Sequence, residues 1–252
     1  VARDHIGCAY LAVDQLRADY LDRFRPLLTS GFDRLLREGV VFRDARHGHA
    51  WTKTAPGHAS LATGVHPSRH GIVSNDWYDL ESGEVLESDE DDRWDDDRSP
   101  FRLETPTLGD RMKERWSESK VFGASGKSRG AIMLTGRGAD RAFWLDDEEG
   151  RFFTSTYYCD SEPAWLADFH RDPWIDRFFG TPWELLPEVE SAVADYGLEP
   201  LDRGLVYEPL PRSIGRASTH PDEDYYEDFY ETPFADRFLL ELMVDYPSEN
   251  EE

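Results

Sequence analysis

A threonine at position 54 is placed where its hydroxyl group could attack another molecule. It lies in residues 52–64, which read TKTAPGHASLATG. Pro56 suits the first turn of a helix, where its missing N–H needs no partner, and Gly64 suits the end of that helix. The start of a helix favours an anion through its free N–H groups and its dipole, so Thr54 could attack a phosphoryl or sulfuryl group. The alternative is that Thr52 or Thr54 merely caps the helix.

Other charged residues follow predicted strands. Residues 6–13 are continuously apolar, which is typical of a buried parallel strand, and Asp14 follows at its carboxyl end. Ligands bind at this edge of open α/β sheets, so Asp14 is a candidate metal ligand, with helix capping as its alternative. Lys127 and Arg129 follow a second predicted strand, at 120–124, and the alternative for this pair is a solvated loop.

The pattern of apolar residues predicts the remaining elements. Helices are expected at 15–24, 32–38, 106–116, 163–169 and 234–243, and further strands at 40–42, 142–145 and 151–156, the last two forming a hairpin. Thr105 is the expected cap of the helix at 106–116. The connection at 65–79, which is rich in glycine and polar residues, contains Asn75. The acidic residues of 80–100 predict a solvated surface loop, because they lack the spacing and the glycine of a calcium loop.

The charge balance limits the partners of this protein. There are 28 lysine and arginine residues against 52 aspartate and glutamate residues, which gives a formal net charge of −24. This charge argues against nucleic-acid duplexes and anionic membranes as partners. Only four of the basic residues are lysines. This composition is typical of halophilic proteins from salt-rich environments, with an ordinary acidic soluble protein as the alternative. We expect no membrane span and, from Cys8 and Cys159, no disulfide framework. No signal peptide is visible in this sequence, which begins with Val, so a leader could have been removed.

Several short motifs together resemble the alkaline phosphatase superfamily, in its zinc phosphatase branch with a threonine nucleophile, which is similar to type I phosphodiesterases and nucleotide pyrophosphatases. The matching stretches are VDQ at 13–15, TAPGHAS at 54–60 with TG at 63–64, HGI at 70–72, NDWYD at 75–79, KSRGAI at 127–132 and TSTYY at 154–158. They run in the family's order over roughly the first 170 residues. The joint match is specific, although each motif alone is weak.

The resemblance implies a fold and a domain organisation. The expected fold is α/β, with an alkaline-phosphatase-like, mostly parallel sheet, helices on both faces and an inserted cap region. Residues 1–171 would form the N-terminal part of the catalytic domain, residues 172–230 the cap, and residues 231–252 a truncated return helix. The family's later zinc ligands are an aspartate with a histidine four residues on, an Asp-His pair and a further histidine, and no such set follows Phe234. We therefore expect this chain to be the N-terminal portion of a longer enzyme.

The resemblance also implies a role for each candidate residue. The family binds two zinc ions; Thr54 would be the nucleophile that becomes phosphorylated, activated as an alkoxide on zinc, and Asp14 would be a zinc ligand. Asn75 would donate a hydrogen bond to a non-bridging phosphate oxygen. Lys127 and Arg129 would hold the remaining oxygens, and this pair favours phosphate monoesters over diesters.

The resulting hypothesis is a metal-dependent hydrolase of small phosphate monoesters that works through a phosphothreonine and resides in the periplasm or outside the cell. One alternative is a phosphodiesterase or nucleotide pyrophosphatase of the same superfamily, which shares the threonine and the asparagine but usually lacks the lysine and arginine pair. Another is a catalytically inactive phosphate-binding or interaction protein. By the same resemblance, His58 and His70 are expected to support the loop around the threonine rather than to bind zinc.

Overall fold

The structure, a computed structural model, describes residues 7–187 and 210–245. The chain divides into two compact units, residues 1–46 and residues 47–252. Ile6, residues 188–209 of the predicted cap, and the acidic end of the chain lie outside the described residues. The predicted domain boundaries at 171 and 230 stay a prediction.

The first unit contains two helices, α1 (Ala18–Arg23) and α2 (Gly31–Glu38), with a 3-10 turn (Arg25–Leu27) between them. α2 agrees with the predicted helix, and Gly39 follows its last residue as expected. α1 begins later than predicted because Asp14 and Gln15 form a turn. In that turn the backbone N–H of Gln15 donates to Asp14 Oδ1 at 3.0 Å.

The strands predicted at 6–13 and 40–42 are wrong for the residues that the structure describes. Residues 7–13 and 40–42 are irregular, and no described strand pairs with either segment. A strand needs a neighbouring strand for its backbone N–H and C=O groups, and a continuously apolar strand also needs cover on both faces. Leu11 and Phe42 are 72% and 79% exposed, so this cover is lacking. Asp14 therefore does not lie at the end of a strand.

The second unit contains the helix that begins at Thr54. Its elements are α3 (Thr54–Thr63), α4 (Pro67–His70), β1 (Asp76–Tyr78), β2 (Val85–Glu87), α5 (Leu108–Arg115), β3 (Phe122–Ser125), α6 (Ser128–Thr135), β4 (Arg141–Asp146), β5 (Arg151–Phe153), α7 (Ala164–His170), β6 (Pro182–Trp183), β7 (Arg212–Ser213), α8 (Glu223–Tyr230) and α9 (Pro233–Asp245). β3 pairs with β4 in parallel, and the pairs β1–β2, β4–β5 and β6–β7 are antiparallel. The predicted β4–β5 hairpin and the predicted helices α7 and α9 are confirmed.

The strand β4 separates two apolar clusters. Ala142 and Trp144 belong to the first cluster, to which α3 and α6 also contribute. Phe143 and Leu145 belong to the second, together with aromatic side chains of α8 and α9. Successive side chains of a strand point to opposite faces, so β4 is buried on both faces, with helices in each cluster. None of the helices within residues 7–187 and 210–245 is both long enough and apolar enough to cross a bilayer.

The cap of α5 is Thr107 and not the predicted Thr105. The Asp110 N–H donates to the Thr107 hydroxyl at 3.2 Å, and the Thr107 N–H donates to Asp110 Oδ2 at 2.8 Å. The hydroxyl of Thr107 also donates to the Thr135 carbonyl at 2.8 Å. This reciprocal capping box satisfies two helix-start N–H groups at once. The hydroxyl of Thr105 donates instead to the carbonyl of Arg69 at 2.8 Å.

The acidic residues within 80–100 are only partly solvated, which corrects the predicted surface loop. Asp89 and Asp91 are buried, with 1% and 6% of their surface exposed. An arginine faces each of them: Arg98 Nη1 lies 3.5 Å from Asp89 Oδ1, and Arg93 Nε donates to Asp91 Oδ1 at 2.6 Å. The hydrogen bonds from Arg93 lower the pKa of Asp91 to about 2. Composition shows the excess of carboxylates but not which of them an arginine will neutralise.

Candidate active site

Thr54 is the first residue of α3, and Lys53 occupies the N-cap position. The capping role considered for Thr54 therefore does not fit, because the threonine already has helical geometry. Pro56 lies in the first turn, where its missing N–H is not needed. Gly64 ends the helix with φ 70°, a conformation that favours glycine. The chain thus presents a half-buried hydroxyl at a helix start, where an anion is favoured.

Asn75 is joined to the start of α3 by a hydrogen bond. The backbone N–H of Ala55 donates to Asn75 Oδ1 at 2.9 Å across 20 positions of sequence. A backbone N–H can only donate, so this bond identifies the oxygen of the amide and leaves its NH₂ group as a donor on the other branch. The structure thereby brings the predicted amide donor to the residue next to Thr54.

Lys127 and Arg129 lie at the start of α6, which packs against α3. Lys127 is the exposed N-cap residue, and its Nζ lies 5.7 Å from the centroid of the Tyr230 ring. Arg129 is half-buried, and its Nε is buried without a hydrogen-bond partner among the described residues. A buried donor without an acceptor costs about 1–3 kcal/mol, which a bound oxyanion would remove. Lys127 and Arg129 thus lie at the start of a helix rather than in a loop, the lysine exposed and the arginine half-buried.

Sequence reasoning misses two aromatic residues near these groups. The Tyr230 hydroxyl donates to the carbonyl of Gly126 at 2.8 Å, 104 positions away, and no local pattern could reveal that contact. The indole N–H of Trp51 donates to Ser74 Oγ at 3.1 Å. Trp51 is 58% exposed and lies three residues before Thr54, which is a usable signal.

The two histidines expected to support the loop do so. His58 Nδ1 donates to the carbonyl of Thr54 at 2.8 Å. His70 Nε2 lies 3.0 Å from Ser60 Oγ. Both rings are buried. Nδ1 of His58 and both ring nitrogens of His70 thus contact the protein around α3. That these histidines do not bind zinc stays a prediction.

The described residues of this chain do not form a complete zinc site. Asp14 belongs to the first unit and Thr54 to the second. Zinc in proteins takes about four ligands, most often His, Cys, Asp or Glu side chains. Within residues 7–187 and 210–245, no group of three or more such side chains is gathered. Asp14 and Thr54 alone do not satisfy the coordination of a zinc ion.

Comparison with known proteins gives consistent matches. The family model described as type I phosphodiesterase / nucleotide pyrophosphatase matches residues 9–232. Alkaline phosphatase PhoK of Sphingomonas sp is 38% identical over 151 residues, which are 56% of this chain and 27% of PhoK. Alkaline phosphatase PafA of Elizabethkingia meningoseptica is 36% identical over 187 residues, which are 70% of this chain and 34% of PafA. The chain thus spans less than half the length of these curated relatives.

The solved structures give the same result for the fold. The crystal structure of wild-type alkaline phosphatase PafA matches with a TM-score of 0.77 and 30% identity, over 92% of this chain and 47% of that chain. A PafA variant, in which a threonine is replaced by serine and an asparagine, a lysine and an arginine by alanine, matches with a TM-score of 0.78 over the same shares. The predicted alkaline-phosphatase-like α/β fold is confirmed. Within the described residues, β3 and β4 form a parallel strand pair of this fold.

Proposed function

The chain belongs to the type I phosphodiesterase and nucleotide pyrophosphatase family, and we propose that the protein hydrolyses phosphate monoesters through a phosphothreonine at Thr54. The observation that carries this proposal is the hydrogen bond from the Ala55 N–H to Asn75 Oδ1. It holds an amide donor beside a hydroxyl at a helix start. Phosphoryl transfer depends on positioning and on fixed donors for the charged oxygens, and this arrangement supplies both.

The PafA variant supports the choice of residues. Its substituted threonine and asparagine are 21 positions apart, as Thr54 and Asn75 are here. Its substituted lysine and arginine are two positions apart, as Lys127 and Arg129 are here. The two proteins agree in four residue types and two spacings, which supports assigning the four positions of this chain to one site.

The proposed first step is an in-line attack of Thr54 Oγ on phosphorus. The bond from Oγ to phosphorus forms while the bond from phosphorus to the ester oxygen breaks, and the leaving alcohol gains a proton as the threonine loses one. The NH₂ group of Asn75 donates to a non-bridging oxygen, and Lys127 and Arg129 meet the remaining oxygens. In the second step water attacks the phosphothreonine, which releases inorganic phosphate and restores the hydroxyl.

We propose that the whole protein binds zinc, but the two steps above are described only in terms of the residues of this chain. A metal bound to a hydroxyl lowers its pKa and makes it a stronger nucleophile. Asp14 and Thr54 are the ligands that this chain would contribute. Because two ligands do not hold zinc on their own, this part of the proposal depends on the motif resemblance.

The preference for monoesters depends on the two cations of α6. A monoester dianion offers one more charged oxygen than a diester, in which an alkyl group replaces that charge. The buried Nε of Arg129, without an acceptor in the described part of the chain, supports the presence of such an oxygen. A phosphodiesterase of the same family and an inactive phosphate-binding protein are the two alternatives that experiment must separate.

Small phosphorylated molecules and a periplasmic or extracellular location complete the proposal, by resemblance to the same family. Fractionation of cells that produce the full-length protein tests the location. Phosphatase activity confined to the cytoplasmic fraction would contradict it.

The central experiment replaces Thr54 in the full-length protein. Thr54→Ala should abolish the trapping of a phosphoenzyme and lower turnover by more than about a thousandfold, as loss of a nucleophile does. Folding should be retained, because Thr54 is not the N-cap residue. Thr54→Ser should keep partial activity. Thr52→Ala removes an exposed threonine just outside the helix and is the matched control, with activity unchanged.

Three outcomes would contradict parts of the proposal. Continued hydrolysis by Thr54→Ala with a lowered melting temperature would assign the hydroxyl a structural role. A wild-type protein that prefers diesters would be a phosphodiesterase. A wild-type protein that binds inorganic phosphate but never yields a phosphoenzyme would be an inactive binding protein.

A further inference from the structure

The hydroxyl of Ser60 lies between two histidine rings from different parts of the chain. Ser60 Oγ is 3.0 Å from His70 Nε2 and 3.2 Å from His49 Nε2. Ser60 is in α3, His70 is the last residue of α4, and His49 lies in the segment that leads into α3. One hydroxyl therefore connects the nucleophile helix to the segments on either side of it.

The backbone determines the direction of every hydrogen bond in this chain of contacts. The N–H of Ile72 donates to His70 Nδ1 at 3.2 Å, so the proton of the neutral His70 ring is on Nε2 and points to Ser60. The Trp51 carbonyl can only accept, so the proton of the His49 ring is on Nδ1, which donates to that carbonyl at 3.1 Å. In a neutral His49 ring Nε2 is then an acceptor, and the Ser60 hydroxyl donates to it at 3.2 Å.

Burial keeps this arrangement in one protonation state. His70 has no exposed surface. Burial, followed by the nearby His49, lowers the pKa of His70 to about 4. A protonated His70 would also turn an N–H against the N–H of Ile72. At neutral pH the direction of the hydrogen bonds is thus fixed from Ile72 through His70 to Ser60.

The far end of this series of hydrogen bonds reaches residues that are close in sequence to the two residues proposed to act on phosphate. The Trp51 carbonyl accepts from His49, and the Trp51 indole donates to Ser74 Oγ. Ser74 precedes Asn75, and Trp51 lies three residues before Thr54. The backbone of Trp51 is therefore held by His49, and its side chain is held by Ser74, in the segment that carries Asn75.

We propose that Ser60, with His49 and His70, is a positioning relay that sets where the chain enters α3 and hence where the Thr54 hydroxyl stands relative to the Asn75 amide. This inference rests on the proposed function. It assigns none of the three residues a contact with substrate. Misplacing a reacting group by about 1 Å can cost about a hundredfold in rate, so the loss of the relay should appear in the chemical step.

The test uses the full-length protein with Ser60→Ala, which removes the hydroxyl at the centre of the relay. We expect the rate of phosphoenzyme formation and kcat to fall at least about tenfold, with KM changed less than about twofold, because the cations of α6 remain in place. Ser60→Thr keeps a hydroxyl and should restore most of the rate. Thr63→Val is the matched control: it removes a hydroxyl at the other end of the same helix, which donates to the Ala59 carbonyl and accepts from the Val65 N–H but contacts neither histidine, and its kinetics should be unchanged.

A second variant guards against a failure of Ser60→Ala to fold. His49 is half-buried, and His49→Phe keeps the ring while it removes both nitrogen atoms, so the same kinetic loss is expected. Phosphoenzyme formation within twofold of wild type in both variants would overturn the relay alone. The relay would also be overturned by an equal loss in Ser60→Thr. A wild-type protein that forms no phosphoenzyme would instead overturn the proposed function, and the relay with it.

Discussion

The side chain of Asn75 accepts a hydrogen bond from the Ala55 N–H and is proposed to donate another to phosphate, and replacement by aspartate separates the two. In the wild-type structure the Ala55 nitrogen lies 2.9 Å from Asn75 Oδ1, and Asn75→Asp keeps an oxygen acceptor for its N–H. A carboxylate at a helix start is also favoured by about 0.3–1 kcal/mol. The same change removes the NH₂ donor and brings a negative charge toward the phosphate. Asn75→Ala, in contrast, removes both the acceptor and the donor.

The two variants should therefore rank in opposite orders for stability and for activity. Loss of a hydrogen bond to a charged group is worth about 1.5–3 kcal/mol, so Asn75→Ala should lower kcat/KM about 10- to 150-fold. Asn75→Asp should lower it further, because repulsion adds to the lost donor. For stability, Asn75→Ala leaves the part-buried Ala55 N–H without its acceptor and should lose about 1–3 kcal/mol, whereas Asn75→Asp should melt at or above the wild-type temperature.

The measurements are thermal melts and steady-state kinetics of the full-length protein on a phosphomonoester such as p-nitrophenyl phosphate. The reasoning requires Asn75→Asp to be the more stable and the less active of the two variants. Activity in Asn75→Asp above that of Asn75→Ala would refute the donor role. Melting of Asn75→Asp below Asn75→Ala would refute the assignment of Oδ1 as the acceptor for Ala55.

Three further predictions test the cations, the metal and the surface charge. Lys127→Ala and Arg129→Ala should each lower kcat/KM on monoesters about 10- to 150-fold and on diesters less, and equal losses would remove the argument for monoester preference. A chelator should inactivate the full-length enzyme and zinc should restore it, whereas full activity in protein shown to be metal-free by elemental analysis would exclude a metal requirement. Because the Debye length falls from about 30 Å at 0.01 M salt to about 3 Å at 1 M, both kcat/KM and melting temperature should rise over this range at a net charge of −24. A steady fall of kcat/KM without a gain in melting temperature would contradict the salt-adapted interpretation.

The helix that begins at Thr54 could be predicted from sequence because its signals are local. Small residues fill its buried face, and Gly64 supplies the left-handed end at φ 70°. The β4–β5 hairpin could be predicted for the same reason, since two apolar runs flank a short polar turn. In each case the residues that favour the element lie within it or directly beside it.

The strand predicted at 6–13 shows where this reasoning stops. An apolar run indicates that a segment will be buried if partners cover it, but the run does not supply those partners. Residues 7–13 have no paired strand among the described residues, and Leu11 remains exposed. The placement of Asp14 at a strand end depended on that pairing, and it failed together with the strand.

The same distinction separates the parts of the candidate site. Thr54 and Asn75 lie in motifs whose residues are close in sequence, and one hydrogen bond across 20 positions joins them. The contact of Tyr230 with the loop before Lys127 spans 104 positions and depends on the packing of α8, which no sequence pattern near either residue encodes. The proposed phosphate donors were therefore accessible to sequence reasoning, whereas contacts such as those of Tyr230 and of Trp51, which hold the neighbouring segments, were not. It follows that a variant such as Ser60→Ala, which leaves every proposed phosphate contact intact, tests the structure in a way that substitution of Thr54, Asn75, Lys127 or Arg129 cannot.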